Sequence, residues 1–277
     1  MFKEYVKVLE ARANGSIKTE EGDYVQDGLL YCGKCNTPKQ CKVEVMEMVI
    51  YPKCLCKCEI ERRDREAEAE RKKEFAERIK RYRVMGFPQS QMQYWTFDND
   101  DGGNEKLTNM AKRYVNHFDA MCRDGKGLLL YGGVGTGKTY IACMIANALI
   151  DKGYPVLVTN FARILSTLQG TFDKQEYLDS LNQFKLLIID DLGIERDTGY
   201  AKEQVFNIID SRYRAGLPMI ITTNLTIQKL AMESELVDKR VYDRILERCY
   251  PVEVVGESRR MKKLMDSHDD MKNILGI

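Results

Sequence analysis

Two groups of residues in this sequence have types and spacings that could do chemistry. The first is the stretch from 127 to 140, GLLLYGGVGTGKTY, where glycine, lysine and threonine follow the pattern G-x-x-x-x-G-K-[ST]. The second is a group of six cysteines between positions 32 and 58, in a chain that has nine. The first group is suited to binding the dense negative charge of a polyphosphate, and the second to binding a metal ion that prefers thiolate ligands.

The glycine-rich stretch is predicted to bind a nucleoside triphosphate. Backbone N–H groups can surround a polyphosphate only where no Cβ blocks the approach, and the positive end of the following helix points at the same place. Lys138 is predicted to reach the β- and γ-phosphates, and the Thr139 hydroxyl to ligate Mg²⁺. The predicted nucleotide-binding residues are Gly132, Gly133, Val134, Gly135, Thr136, Gly137, Lys138, Thr139 and Tyr140.

Polar residues at the ends of two apolar stretches are predicted to complete this site. The stretch LLIIDD ends in two carboxylates, of which Asp190 is placed to hold Mg²⁺ and Asp191 to orient or activate the attacking water. Glu195, in the following loop, is a competing base. Asn224 ends the next apolar stretch and can hydrogen-bond the same water or the γ-phosphate, because ligands gather at the carboxyl ends of parallel strands.

The cysteine group is predicted to form a zinc ribbon. A C-x-x-C turn, a β-like stretch at 43–51 and a C-x-C-x-C run follow one another, and Zn²⁺ held by four thiolates can stabilise a segment too small to bury a core. Cys54 is an alternative to one of the last pair, and Cys41 is spare. Reduced thiols without metal are the competing interpretation. The preferred ligands are Cys32, Cys35, Cys56 and Cys58.

The chain is predicted to divide into three segments. These are a cysteine-rich zinc-binding domain at 1–58, a charged helical linker at 59–85 and an ATPase domain at 86–277. The linker sequence has neither Gly nor Pro from 59 to 83, and opposite charges recur four residues apart, as at Glu68 and Lys72. This pattern is typical of a solvated helix.

Alternating apolar stretches and helical patterns predict an α/β fold for the third segment. Continuous apolar strands separated by helices occur in a parallel sheet that is covered on both faces. The prediction is a P-loop NTPase core with a five-stranded parallel sheet, which an amphipathic helix at 104–123 precedes. The predicted strands lie at 128–131, 154–160, 184–193, 217–224 and 251–256.

Length, charge and hydropathy exclude some classes of function. With 277 residues the chain has room for an α/β domain and a smaller one. The 43 basic and 42 acidic residues nearly cancel, so any contact with nucleic acid must come from local patches. No apolar run reaches the ~18 to 20 residues of a membrane span, and the N-terminus has no apolar signal core. We therefore expect a cytoplasmic protein with no membrane partner.

Five short motifs carry a family resemblance. GGVGTGKT, LLIIDDLG, IITTN, RVYDRI and GESRR occur in this order, over roughly residues 86–263. Together they resemble the AAA+ ATPases of the bacterial and phage replicative helicase loader family, which are DnaC/DnaI-like, and the similar IstB-type ATPases that help transposition. The cysteine-rich segment and the charged helix are also similar to loader proteins, but more loosely.

The resemblance implies an ATP site that is completed between subunits. It assigns the arginine finger to Arg244 in RVYDRI and a sensor arginine to Arg260 in GESRR. Spacing alone favours salt bridges from Arg244 and its neighbours to Asp243 or Glu247 on the same helix. The resemblance also assigns Asn224 as the sensor asparagine, and Asp190 and Asp191 as the acidic pair. Since many AAA+ proteins carry Glu at the second acidic position, the catalytic base remains Asp191 or Glu195.

The function that the resemblance implies is the ATP-driven loading of a replicative hexameric helicase onto single-stranded DNA. The implied cofactors are ATP and Mg²⁺, with Zn²⁺ in the cysteine segment, and the implied partners are the helicase, single-stranded DNA and further copies of the chain. The alternative is an IstB-like transposition helper that binds duplex DNA and recruits a transposase. A third possibility is a module that binds nucleotide without useful hydrolysis. Such a module would not need the water-positioning residues at 190, 191 and 224, so their presence argues against it.

Overall fold

The computed structural model of this chain describes residues 19–45, 48–193, 198–233 and 235–256, together with 258, 271 and 275. The chain divides into two compact units, Met1–Ala76 and Glu77–Ile277. Among the predicted site residues, Glu195 and Arg260 lie outside the described residues. No helix in the described part of the chain is long and apolar enough to cross a membrane.

The first unit contains two short antiparallel hairpins, β1–β2 and β3–β4. Asp27 and Gly28 join β1 to β2 with φ angles of 51° and 75°, the positive values that a two-residue type I′ turn requires. The sequence predicts the β-like stretch that forms β3 and β4, but not the β1–β2 hairpin. The strands are β1 (Tyr24–Gln26), β2 (Leu29–Tyr31), β3 (Val43–Val45) and β4 (Met48–Ile50).

A buried ion pair links the turns of the first unit. Lys39 Nζ lies 2.6 Å from Asp23 Oδ2, and the two side chains are only 10% and 2% exposed. Asp23 also accepts hydrogen bonds from the N–H groups of Glu20 and Gly33. The hydrogen bond from Lys39 lowers the pKa of Asp23 to about 2. The pair therefore stays ionised over the whole neutral range.

The charged segment forms one long helix, α1 (Lys57–Gly86). Arg62 pairs with Glu66 at 2.7 Å, and Lys72 pairs with Glu68 at 2.5 Å. Both pairs lie four residues apart, the spacing at which charges on a helix surface meet. The boundary between the two compact units falls inside this helix.

The second unit contains a five-stranded sheet in the order β6-β7-β8-β5-β9, in which all neighbours are parallel. The predicted parallel sheet is confirmed. The strands are β5 (Gly127–Tyr131), β6 (Val156–Asn160), β7 (Leu186–Leu192), β8 (Met219–Thr223) and β9 (Cys249–Glu253). The helices are α2 (Glu105–Asn116), α3 (Phe118–Asp124), α4 (Lys138–Asp151), α5 (Phe161–Gly170), α6 (Lys174–Leu181), α7 (Gly199–Arg214), α8 (Ile227–Ala231) and α9 (Leu236–Arg248), with a 3₁₀ helix at Ser90–Tyr94.

Both faces of the sheet are buried. On β5, Leu128 and Leu130 belong to the apolar cluster that contains α2 and α4, whereas Leu129 belongs to the cluster that contains α5, α7 and α9. Ile188 and Ile189 divide between the same two clusters on β7. This alternation follows from the two-residue period of a strand, and it explains why the strands are apolar throughout.

The segment before β5 differs from its prediction. The sequence predicts one helix over 104–123, but the chain leaves the helical conformation at His117, where φ is −106° and ψ is 18°. This break separates α2 from α3. It allows Phe118, which is 1% exposed, to pack edge-on against Tyr154 with ring centres 5.0 Å apart.

Strand β9 lies at the edge of the sheet and pairs only with β5 among the described strands. The N–H of Val254, just beyond β9, donates to the carbonyl of Tyr131 at 2.8 Å. Because successive residues of a strand point their N–H groups in opposite directions, position 251 faces the open edge. That position is Pro251, which has no N–H to offer.

Candidate nucleotide site and metal centre

The glycine-rich loop connects β5 to α4 and has the backbone that its glycines allow. Gly132, Gly135 and Gly137 have φ angles of 142°, 81° and 101°, which side chains other than glycine rarely adopt. A Cβ at Gly135 would lie 2.2 Å from Ser258 Oγ. Helix α4 begins at Lys138, so its unpaired N–H groups point into the loop. The loop therefore fits a polyphosphate.

Lys138 connects this loop to the predicted sensor residue. Its ammonium group donates to the carbonyls of Gly132 and Gly133 at 3.0 and 2.7 Å, and to Oδ1 of Asn224 at 2.7 Å. The residue is only 6% exposed. Its positive charge also acts on Asp190, whose pKa burial raises and Lys138 helps to lower.

Thr139 and Asp190, the predicted magnesium residues, are in direct contact. Thr139 Oγ1 donates to Asp190 Oδ1 at 2.8 Å, and Thr222 Oγ1 donates to the same oxygen at 2.6 Å. Burial raises the pKa of Asp190 above its usual value, and the two threonine hydrogen bonds offset part of this rise. A hydroxyl beside a carboxylate is a donor set that Mg²⁺ accepts. Thr222 is a member of the site that the sequence did not single out.

Asp191 has an unusual backbone conformation. Its φ angle is 59°, and the pairing of β7 with β8 shifts register between Ile189 and Leu192. The N–H of Asp191 donates to Thr222 Oγ1 at 2.9 Å. Such a bulge changes the direction of a side chain at the end of a strand, and left-handed backbone is tolerated by Asp at some cost. Of the two candidate bases, Asp191 lies among the described residues and Glu195 does not.

The remaining predicted nucleotide contacts lie at the rim of the loop. Val134 is 64% exposed, and Thr136 Oγ1 donates to the carbonyl of Gly133 at 3.0 Å. Tyr140 follows Thr139 in the first turn of α4, and its ring centre lies 5.6 Å from that of Trp95. An aromatic pair therefore borders the start of α4, next to the residues that would hold the phosphates.

The predicted arginine finger lies on α9, away from this loop. Arg244 does not form the same-helix salt bridges that its spacing favours; Arg244 Nη2 lies 2.7 Å from Asp210 Oδ1 on α7. The reason is that α9 packs on α7, which brings a carboxylate of the other helix closer than those of α9 itself. Arg260 lies outside the described residues, and its role stays a prediction.

The four preferred cysteines of the first unit lie together. The sulfur atoms of Cys32, Cys35, Cys56 and Cys58 are all within 4.8 Å of one another. The other two thiols of the group point elsewhere, because Cys54 donates to the carbonyl of Pro38 and Cys41 to that of Pro52. The sulfur cluster therefore consists of the C-x-x-C pair, Cys32 and Cys35, and the last two cysteines of the C-x-C-x-C run, Cys56 and Cys58.

Hydrogen bonds inside the cysteine cluster affect its thiols in opposite ways. The hydrogen bond with the Thr37 hydroxyl lowers the pKa of Cys35 to about 6. Hydrogen bonding to its neighbours, Cys56 first, raises the pKa of Cys58 to about 12. Four thiols this close cannot all ionise without a cation, and a tetrahedral Zn²⁺ matches both their number and their chemistry. The cluster therefore fits zinc.

Comparison with known proteins decides the family. The family described as IstB-like ATP binding protein matches residues 67–267, which is most of the chain. This chain belongs to the IstB-like ATP binding protein family. Membership in this family supports ATP binding and ATPase activity, in agreement with the loop and the acidic strand described above.

Relatives of this IstB-like chain include two proteins named as replicative helicase loaders. DnaC of Escherichia coli (strain K12) is 29% identical over 148 residues, which cover 52% of this chain and 58% of DnaC. DnaI of Bacillus subtilis (strain 168) is 30% identical over 149 residues, which cover 49% of this chain and 48% of DnaI. The chain thus spans about half the length of these curated relatives.

Solved structures confirm the AAA+ fold that the motifs predict. A crystal structure of DnaI aligns with a TM-score of 0.54 and 26% identity, over 65% of this chain and 99% of that one. A crystal structure of the DnaC helicase loader aligns with a TM-score of 0.50 and 23% identity, over 60% of this chain and 100% of that one. At this identity the second alignment shows the fold alone.

Proposed function

We propose that this protein hydrolyses ATP and loads a replicative helicase onto single-stranded DNA. The observation that carries the proposal is the contact set of the glycine-rich loop, in which Lys138 joins the loop to Asn224 and Thr139 meets Asp190. The loader role is supported by the names of the relatives DnaC and DnaI.

In this proposal each residue of the site has a separate task. Lys138 and the loop N–H groups bind the β- and γ-phosphates, and Thr139 and Asp190 hold Mg²⁺, which supplies charge neutralisation across the phosphates. Asn224 orients the attacking water. Asp191 is the preferred base, because it follows Asp190 at the carboxyl end of β7 and its left-handed backbone, with φ of 59°, changes the direction of its side chain.

Hydrolysis is proposed to depend on self-association. Arg244 would act on the γ-phosphate of a neighbouring subunit, and Arg260 would sense the nucleotide of its own subunit. An arginine supplied from another subunit neutralises charge that develops in the transition state, so the isolated chain is expected to turn over slowly. Assembly or DNA would then stimulate the reaction.

A contact with single-stranded DNA is proposed for the loop between α5 and α6. Phe172 at this loop is fully exposed, which is unusual for an aromatic side chain. Aromatic faces stack on bases of any sequence, and such stacking is a common means of holding a single strand. The sequence patterns did not reveal this residue, because one aromatic in a polar loop has no periodic signal.

The cysteine-rich segment is proposed to dock on the helicase. The first unit is compact in itself and carries the sulfur cluster, so it can present a rigid surface to a partner. The proposed domain limits are those that the sequence predicts, with docking in 1–58, the linker at 59–85 and the ATPase domain from 86 onward.

A pull-down against the replicative helicase of the host or its phage tests the proposal. We expect more capture with ATP than with ADP, and loss of capture in Cys32→Ser but not in the control Cys41→Ser, whose thiol lies outside the sulfur cluster. Absence of capture, with ATP-dependent assembly on duplex DNA instead, would overturn the loader role in favour of an IstB-like transposition helper.

A further inference from the structure

Arg244 is held inside its own subunit by three side chains of α7. Its Nη2 atom lies 2.7 Å from Asp210 Oδ1. Its guanidinium carbon lies 4.5 Å from the ring centre of Phe206 and 5.7 Å from that of Tyr213. Only 23% of the Arg244 side chain is exposed. Helix α7 thus offers one carboxylate and two aromatic faces to a single cation on α9.

The position of Tyr213 is itself fixed by α9. Its hydroxyl lies 3.0 and 2.9 Å from the two carboxylate oxygens of Glu247 and donates to that carboxylate. The guanidinium carbon of Arg248, which is also on α9, lies 4.7 Å from the Tyr213 ring centre. Side chains of both helices therefore surround Arg244, and its position depends on several contacts.

The hydrogen bonding of Arg244 in this place is incomplete. Its Nη1 atom is buried and has no hydrogen-bond partner among the described residues. Asp210 Oδ1, which faces Nη2, also has no hydrogen-bond partner among the described residues, so the two groups form an ion pair without a well-directed hydrogen bond. The second oxygen of Asp210 pairs with Arg214 Nε at 2.8 Å, so Arg244 does not have the carboxylate to itself. A buried donor without an acceptor costs free energy, which lowers the barrier to leaving this position. A phosphate offers more negative charge and more acceptor oxygens than a shared carboxylate.

We infer that Asp210, with Phe206 and Tyr213, holds Arg244 in a withdrawn position and that release of this contact regulates assembly-dependent hydrolysis. In this pose the guanidinium cannot also reach the phosphate of a neighbouring subunit, because its Nη1 is buried and its Nη2 lies against Asp210. The contact therefore competes with assembly. This inference rests on the proposed function, in which Arg244 acts on the neighbouring subunit.

The variant Asp210→Asn tests the inference, because it keeps the size of the side chain and removes its charge. The control is Glu203→Gln, which removes a charge from an exposed position on the same helix. ATP hydrolysis per chain is measured against protein concentration with an oligo-dT strand present. We expect the half-maximal concentration to fall about fivefold in Asp210→Asn and to stay unchanged in the control. Damage to the fold cannot produce such a gain, and an unchanged or higher concentration overturns the inference.

A second measurement examines the withdrawn position without hydrolysis. Phenylglyoxal modifies accessible arginines, and the modification of Arg244 in the full chain without nucleotide can be followed by peptide mass spectrometry. We expect Arg244 to react several-fold faster in Asp210→Asn than in the wild type or in Glu203→Gln. Equal rates in all three overturn the inference.

The variant Arg244→Ala separates the two levels of the argument. If Arg244→Ala abolishes stimulated hydrolysis while Asp210→Asn has no effect, the regulatory contact is wrong and the finger assignment stands. If Arg244→Ala hydrolyses ATP normally, the finger assignment fails and the regulation fails with it. In the double variant, Asp210→Asn is expected to add nothing to Arg244→Ala, because Asp210 acts only through that arginine.

Discussion

At the scale of single residues, the candidate nucleotide site is built from side chains that hydrogen-bond one another. Asp190 is the centre of this arrangement, since two threonine hydroxyls from different elements donate to it. Its carboxylate is mostly removed from water, and burial raises its pKa. The two hydroxyls therefore offset part of the rise that burial causes.

Thr222→Val is expected to weaken Mg²⁺-dependent ATP binding about tenfold. The substitution conserves shape but removes one donor to Asp190, and a hydrogen bond to a charged group is worth about 1.5 to 3 kcal/mol. With one donor fewer, the pKa of Asp190 rises further. Because metal binding needs the carboxylate form, the rise of affinity with pH moves to higher pH. ATP affinity titrated at several pH values checks this.

The matched control is Thr222→Ser, which keeps the hydroxyl and should retain the pH profile of the wild type. Identical profiles for the valine and serine variants would show that Thr222 does not govern the ionisation of Asp190.

At the scale of elements, one buried arginine joins three parts of the ATPase unit. Arg212, on α7, is 1% exposed and donates to main-chain carbonyls at the end of α6 and in the loops that precede β7 and β8. Burial lowers its pKa to about 10, so it remains charged at neutral pH. Arg212 therefore fixes the segments that lead into β7 and β8. These segments lie at the amino ends of the strands, opposite to the carboxyl edge where the glycine-rich loop lies.

Arg212→Met is expected to lower the free energy of unfolding by about 3 kcal/mol or more. Methionine fills much of the same volume but leaves several buried carbonyls without donors, each costing about 1 kcal/mol or more. The control is Arg214→Met on the same helix, whose side chain is 75% exposed and which should change stability by less than about 0.5 kcal/mol. Urea unfolding followed by circular dichroism compares them, and equal losses would contradict the role of Arg212.

The elements also show what a sequence can and cannot predict here. The parallel sheet follows from the alternation of apolar stretches with helical patterns, and the position of Asn224 near the glycine-rich loop follows from the rule that parallel strands gather their carboxyl ends at one edge. The bulge at Asp191 and the break at His117 do not, because they depend on how neighbouring elements pack. The Asp210–Arg244 contact joins two helices that are distant along the chain, and no periodic pattern can reveal such a pair. Cys54 shows the same limit, since only the geometry excludes it from the sulfur cluster.

At the scale of the whole molecule, the chain combines a unit with very little apolar core and a unit with a complete one. Within the described residues, the first unit buries Leu30 and two cysteines as its apolar side chains, whereas the second buries both faces of a sheet. A small unit of this kind needs a cross-link or a metal to be stable on its own. The two units should therefore respond differently to loss of metal.

Removal of zinc is expected to unfold the first unit and leave the second folded. After treatment with a chelator, hydrogen exchange should speed up around β1 to β4 and remain slow in β5, β7 and β8, because the two units have separate cores. Cys32→Ser should reproduce this result, whereas Cys41→Ser should not. Loss of protection in both units would contradict the independence of the two, and no change in either would contradict the metal site.

Pro251 limits the ways in which copies of this chain can associate through their sheets. In the proposed assembly, copies of this chain lie at high local concentration, where an unprotected sheet edge favours pairing between copies. The proline at the outward-facing position of β9 interrupts the hydrogen-bond ladder that such pairing would need. Pairing of further strands onto β9 is thereby disfavoured.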